Sequence, residues 1–169
     1  LAQHGVVTVG TVFRGDKLSG AGTPEELRRA ADVVLVEADG AKRLPLKAPA
    51  EYEPVIPPCA DAVAAVAGMD AVGQAVGAVC HRPERVCALL GAGAEHVLTP
   101  EDVALLLANP QGGRKGVGRA MAFRCVLNKA DTPERAAHAS AVAGRLAERG
   151  IHSAITYYRE EERVGLCWF

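Results

Sequence analysis

The sequence predicts an α/β fold with a mostly parallel sheet. Three observations predict it. Short Val- and Ala-rich runs alternate with segments of helical composition. Three of those helical segments open on Thr-Pro followed by acid, at Thr23-Pro24-Glu25-Glu26, Thr99-Pro100-Glu101-Asp102 and Thr132-Pro133-Glu134, where Thr can cap and Pro fits the first turn. Two apolar runs end directly in polar residues, Glu37-Ala38-Asp39-Gly40 and Asn128-Lys129-Ala130-Asp131, as parallel strands do when function sits at their carboxyl ends.

In chain order, Val6 to Phe13 (VVTVGTVF) reads as a strand from its Val and Thr content. The helix opened by Thr23 runs to about Ala31, its capping box contributing about 1 kcal/mol. Asp32 to Glu37 (DVVLVE) is a continuous apolar run ending in acid, the pattern of a parallel strand buried on both faces. Gly40 to Pro58 is a long irregular segment with five prolines, a length that marks a functional or mobile connection. Ala62 to Ala67 (AVAAVA) reads as another buried strand, although so short a run also suits a helix. Pro83 to Leu90 is a helix, and a second runs from Thr99 to near Asn109-Pro110. A Gly- and base-rich loop follows, Gly112 to Arg119. Ala122 to Leu127 is a strand, and the helix opened by Thr132 carries small or apolar residues at 136, 137, 141, 143, 146 and 147 before Gly150. Ala154 to Tyr158 and Arg163 to Phe169 read as a terminal strand and an edge strand.

Composition narrows the function classes. The 169 residues suit one domain spanning 1–169 and can bury roughly 70% of the unfolded surface. Lys+Arg 19 against Asp+Glu 20, net charge −1, excludes the basic excess of a general nucleic-acid or membrane-surface binder. No apolar run approaches the roughly 18 residues of a membrane span. The five cysteines, Cys59, Cys80, Cys87, Cys125 and Cys167, are odd in number and form no C-x-x-C pair. They read as small buried hydrophobes in a reducing cytoplasm rather than as a disulfide or zinc framework. The chain opens at Leu1 without a signal segment. That start reads as the tail of an earlier element, and so as an N-terminal truncation.

The sharpest chemical signal is Asn128-Lys129-Ala130-Asp131. A carboxylate at Asp131 can accept hydrogen bonds from guanine N1–H and its exocyclic amine, whereas adenine offers a lone pair at the first position. The Lys129 stem can lie along the base plane, and Asn128 can tie the loop to neighbouring backbone. The competing reading is a polar turn in which Asp131 and Thr132 cap the next helix. The second signal is Glu37-Ala38-Asp39-Gly40. Carboxylates there can hold Mg²⁺ directly or through water, and Gly40 lets backbone approach a phosphate, as in a Walker-B element. The alternative is a solvated acidic strand end. The third is Lys42, Arg43 and Lys47, followed by Glu51 and Glu53, which could meet a phosphate or anionic substrate or form a solvated loop. Gly112 to Arg119 lacks the Walker-A spacing, Gly91-Ala92-Gly93 suits a helix-terminating turn, and His81-Arg82 suits either a ligand contact or a helix start. His4, His96, His138 and His152 have no evident partners.

VLVEADGAKRLPLKAPAEYEPVIP, AVAAVAGMDAVG, HRPERV, LTPEDVALLL and VLNKAD, in this order, resemble the YqeC family, whose members are associated with selenium-dependent hydroxylases as accessory proteins. The likeness runs from about Val6 to about Gly150. It implies a three-layer, P-loop nucleotidase-like fold and a cytoplasmic role in maturing selenium- and molybdenum-dependent hydroxylases. Glu37 and Asp39 would then be catalytic and Mg²⁺-side residues, with Gly40, Asn128, Lys129 and Asp131 on the nucleotide and Lys42, Arg43, Lys47 and Glu53 on the substrate or phosphate. The family's Gly-rich phosphate loop has no counterpart in these 169 residues, so the resemblance implies weak nucleotide binding and poor hydrolysis by this chain alone.

The reading that follows is a GTP-preferring (or ATP-using), Mg²⁺-dependent nucleotidase with a molybdenum hydroxylase client and no nucleic-acid or membrane partner. Its rivals are a non-catalytic module that holds a cofactor precursor or client through Lys42, Arg43 and Lys47, and a nucleotidyl- or phosphotransferase acting on a small substrate.

Overall fold

The structure, a computed structural model, describes residues 5–13, 17–20, 22–158 and 165–168. It divides into two compact units, Leu1–Val36 and Glu37–Phe169. His4 lies outside the described residues, as do residues 163, 164 and 169 of the last expected strand.

The first unit holds a small antiparallel hairpin, β1 (Thr11–Phe13) with β2 (Lys17–Ser19), and helix α1 (Pro24–Ala30). The α1 cap forms as its sequence dictates: Glu26 N–H donates to Thr23 Oγ1, and Thr23 N–H donates to Glu26 Oε2 at 2.8 Å. Two strand expectations are corrected. Only the last three residues of Val6 to Phe13 are strand. Asp32 to Glu37 is irregular, with Val33 75%, Leu35 92% and Val36 47% exposed. An apolar run specifies a wish for burial but not a partner. Among the described residues no neighbouring strand offers this segment the backbone hydrogen bonds that a ladder requires.

The second unit is built on a four-stranded sheet of order β4 (Ala62–Gly68), β6 (Ala122–Asn128), β7 (Ser153–Tyr157) and β8 (Gly165–Trp168). The first three strands run parallel and β8 is antiparallel to β7. The expected α/β class with parallel pairing is therefore present. A second, two-stranded parallel sheet joins β3 (Leu46–Lys47) to β5 (Cys80–His81). Between these strands lie a 3₁₀ turn (Met69–Ala71), α2 (Val76–Val79), α3 (Pro83–Leu90), α4 (Pro100–Ala108) and α5 (Pro133–Ala147). Thr99 and Thr132 cap α4 and α5 as their sequences predict.

The core packs α4 and α5 onto one face of the sheet. Val103, Leu106 and Leu107 of α4 and Val142 and Leu146 of α5 meet Ala67, Phe123, Cys125 and Leu127 of the strands. Each fully buried Leu or Val contributes on the order of 1.5–3 kcal/mol. The opposite face of β4 and β6 stays open: Ala62, Ala64, Ala122 and Arg124 are exposed, and Val66 is 60% exposed. AVAAVA is thus half-buried with period two, rather than buried on both faces. Around β4 and β6 the described residues form two layers, not the three expected. Among the described residues no helix is long and apolar enough to cross a membrane.

Candidate functional site

The 38–55 segment and the β3–β5 pair gather a charged cluster. Pairing places Lys47 opposite His81. Lys47 Nζ contacts the Asp39 carboxylate, donates to the Gly40 carbonyl at 2.8 Å and reaches Glu53 Oε2 at 3.0 Å. Arg82, at the N-cap of α3, closes a two-pronged bond on the same carboxylate, Nη1 to Oε2 at 2.6 Å and Nη2 to Oε1 at 2.8 Å. The Ala50 N–H adds a third donor at 3.3 Å. Partial burial pushes the Glu53 carboxyl up, but bonds from Arg82, Lys47 and Ala50 more than offset it, and the group titrates at about 2. His81 is shifted down by burial and then by Arg82, Lys47 and Lys42, with Glu53 opposing.

The second cluster sits at the tip of β6. Asn128 Oδ1 accepts from the Lys129 N–H and from Thr156 Oγ1, each at 2.8 Å, so Asn128 ties the loop to its own backbone and to β7. Lys129 has a left-handed backbone, φ 63°, and its Nζ meets Asp70 Oδ2 at 2.7 Å. Asp131 Oδ1 accepts the Tyr158 N–H at 2.8 Å, and Oδ2 lies 3.9 Å from Arg135. A carboxylate offers about four acceptor sites, so Asp131 keeps capacity for a further donor pair. Thr132, not Asp131, caps α5.

One contact joins the two clusters. The Gly68 N–H donates to the Pro45 carbonyl at 2.8 Å, and Gly68 stands opposite Asn128 in the β4–β6 ladder. Both clusters therefore lie at the carboxyl ends of the parallel strands. A side chain at Gly68 would not fit, since a Cβ there would lie 2.8 Å from Pro45 Cβ.

The remaining expected residues fall around this arrangement. Glu37 is exposed, with Oε1 3.8 Å from where a Gly40 Cβ would stand. Lys42 and Arg43 are exposed on a turn closed by Leu44 N–H to the Ala41 carbonyl, with φ 50° and 64°. Asp39 is matched by Lys47; of the two acids only Glu37 is open. Among the described residues no group of three or more His, Cys, Asp and Glu gathers as a metal site. Asp70 escaped the sequence reading, although it stands two residues beyond a strand end much as Asp39 stands beyond an apolar run. Its Oδ1 is buried and has no hydrogen-bond partner among the described residues.

The weaker motifs resolve into structure. Lys115 Nζ straps the Ala50 and Glu51 carbonyls, and Gly112 packs so close to Leu106 that a Cβ would lie 2.2 Å from its carbonyl oxygen. Gly91 ends α3 in the left-handed conformation, as a helix-terminating glycine should. His96 does have a partner, Asp102 Oδ2 at 2.9 Å. Cys80 and Cys125 are buried, which pushes their thiols up to about 11 and 12 and makes them inert.

Comparison with known proteins finds a family and one curated relative. The sequence model for the YqeC protein matches residues 1–84. A curated relative, "Uncharacterized protein YqeC" of Escherichia coli (strain K12), is 38% identical over 101 residues, 56% of this chain and 40% of the relative. The matched part thus spans less than half of that relative's length. No solved structure matches.

Proposed function

This chain belongs to the YqeC family, and from that premise we propose that it carries the base- and metal-facing part of a GTP-binding, Mg²⁺-dependent nucleotidase. Its role is that of an accessory factor in the maturation of selenium- and molybdenum-dependent hydroxylases. The observation that carries the reading is the Pro45–Gly68 contact. It sets the cluster around Asp39 and Gly40 beside the Asn128–Asp131 loop at the carboxyl ends of β4 and β6, where open α/β sheets bind ligands.

In this reading the Asp131 carboxylate takes the guanine N1–H and amine, its position fixed by the Tyr158 N–H. The Lys129 stem runs along the base plane, braced by Asp70. Asn128 receives Lys129 N–H and Thr156, so the loop is organised before any ligand arrives. The donor set fits Mg²⁺ in its usual mode, one carboxylate together with phosphate oxygens and water. Glu37 would hold it, and the ion would neutralise phosphate charge. Asp39 positions Lys47 toward the Gly40 carbonyl.

The test measures GTP, ATP and XTP affinity, with and without Mg²⁺, for the full-length protein and its Asp131→Asn variant. The expected result is a GTP preference of at least tenfold. The variant should lower GTP affinity at least tenfold and raise XTP affinity, because the new amide donor meets the xanthine C2 carbonyl. Equal affinity for GTP and ATP in the unaltered protein removes Asp131 from base reading.

A further inference from the structure

Three hydrogen bonds lace the loop after β6 to the end of β7. Thr156 Oγ1 donates to Asn128 Oδ1 at 2.8 Å, the Ala130 N–H to the Thr156 carbonyl at 3.1 Å, and the Tyr158 N–H to Asp131 Oδ1 at 2.8 Å. The last of these holds residue 158 beside the Asp131 carboxylate through its main chain, whatever side chain it carries. The side chain it carries is a tyrosine ring, 61% exposed. A single exposed aromatic is ordinary, so its placement has to carry the argument. Tyr52, the other strongly exposed tyrosine, bonds its hydroxyl to Arg82. The Tyr158 side chain has no hydrogen bond or ring contact among the described residues.

Two observations set that ring at the Asn128–Asp131 loop. Side chains alternate between faces along an extended chain. Tyr157 packs against the core, as Ile155 does two residues before it, while Thr156 meets Asn128 on the other face. Tyr158 therefore returns to the face of Thr156. The sheet order then separates it from Lys129: β4 lies on one side of β6 and β7 on the other. Asp70, two residues beyond β4, draws Lys129 Nζ to its own side at 2.7 Å, and Tyr158 arrives from the β7 side. The lysine stem and the tyrosine ring thus flank the loop that carries Asp131.

We propose that the Tyr158 ring stacks on the purine whose edge Asp131 reads, with the Lys129 stem on the base's other face. The inference rests on the base-reading role proposed for Asp131 and assigns a residue to a different task. Hydrogen bonds to the edge of a base select it, whereas an aromatic face binds any base, because every base has a π-face. Tyr158 supplies affinity for purines in general, and Asp131 supplies the choice among them.

The experiment adds GTP, ATP or inorganic tripolyphosphate to the full-length protein and follows the Tyr158 ring signals by proton NMR, identified by their loss in Tyr158→Leu. GTP should move them upfield through the ring current of the purine, and tripolyphosphate, which has no base, should not. By calorimetry, Tyr158→Leu should weaken GTP and ATP binding by a similar factor of about ten, with the preference between them kept. Leu retains the main-chain N–H that Asp131 uses, at an exposed position, so only the ring is lost. Tyr158→Phe keeps the ring and should restore GTP affinity to within about twofold. GTP affinity of Tyr158→Leu within twofold of the unaltered protein, or an equal ring shift from tripolyphosphate, overturns the stack. If Asp131→Asn still trades GTP for XTP in that case, base reading stands and Tyr158 alone falls. A tenfold loss in Tyr158→Leu with no change of preference in Asp131→Asn upholds the stack and removes Asp131. Absence of binding by both nucleotides overturns the two together.

Discussion

Two charged regions meet at the carboxyl end of β4, and they are built differently. Around Glu53 the side chains of Asp39, Lys47, Glu53 and Arg82 are only 15–18% exposed, and both carboxylates have a cation. Around Lys129 the lysine has one carboxylate partner, Asp70, the two side chains are 43% and 24% exposed, and Asp70 Oδ1 has no hydrogen-bond partner among the described residues. The first region spends its charges on shape. The second leaves acceptors and a lysine stem available. The comparison separates residues that hold a site from residues that have capacity left to use it.

The largest expected effect comes from driving the two regions apart. Gly68→Ala keeps an ordinary backbone, φ −83°, so its cost is steric alone. The new Cβ would meet Asp70 Oδ1 at 2.4 Å and Pro45 Cβ at 2.8 Å, and the proline ring cannot rotate away. Destabilisation of about 3 kcal/mol is expected in urea denaturation. A loss under about 1 kcal/mol would mean that the Pro45 loop is not seated on the sheet and that the comparison joins the wrong neighbours.

Glu53→Gln tests the closed region itself. Removing one half-buried carboxylate leaves Arg82 without its charged partner and Lys47 with Asp39 alone, which should cost about 2 kcal/mol at pH 7. The sign with pH follows from Glu53 titrating at about 2, below an ordinary Glu near 4.3. Its contribution is full above about pH 5 and fades as pH falls toward 2, because the unfolded chain then takes up the proton first. Denaturation midpoints of the variant and the unaltered chain should therefore converge between pH 5 and pH 3. An equal gap at both pH values would place the stabilisation elsewhere than in the carboxylate.

The two regions also differ in how far the sequence reveals them. Asn128-Lys129-Ala130-Asp131 was legible because its context is local: an apolar strand before it and Thr132-Pro133 after it. The caps at Thr23, Thr99 and Thr132 were legible for the same reason. The Glu53 network was not, because Arg82 lies 29 residues away and reaches Glu53 only through the β3–β5 pairing. Asp32 to Glu37 shows the opposite failure. Its apolar pattern is strong, yet a strand needs a neighbour, and composition names none.

The smallest effect is the most discriminating. Lys129→Met removes an ion pair whose lysine side chain is 43% exposed, and such pairs are worth roughly 0–1 kcal/mol. The aliphatic stem survives, so stability should fall by less than about 1 kcal/mol, well short of the Glu53→Gln loss. If Lys129 braces a base, the same change should weaken GTP binding severalfold, because the left-handed loop loses the Asp70 anchor that aims the stem. A stability loss as large as that of Glu53→Gln would make Lys129 a structural strut like Arg82, and the two regions would no longer differ in kind.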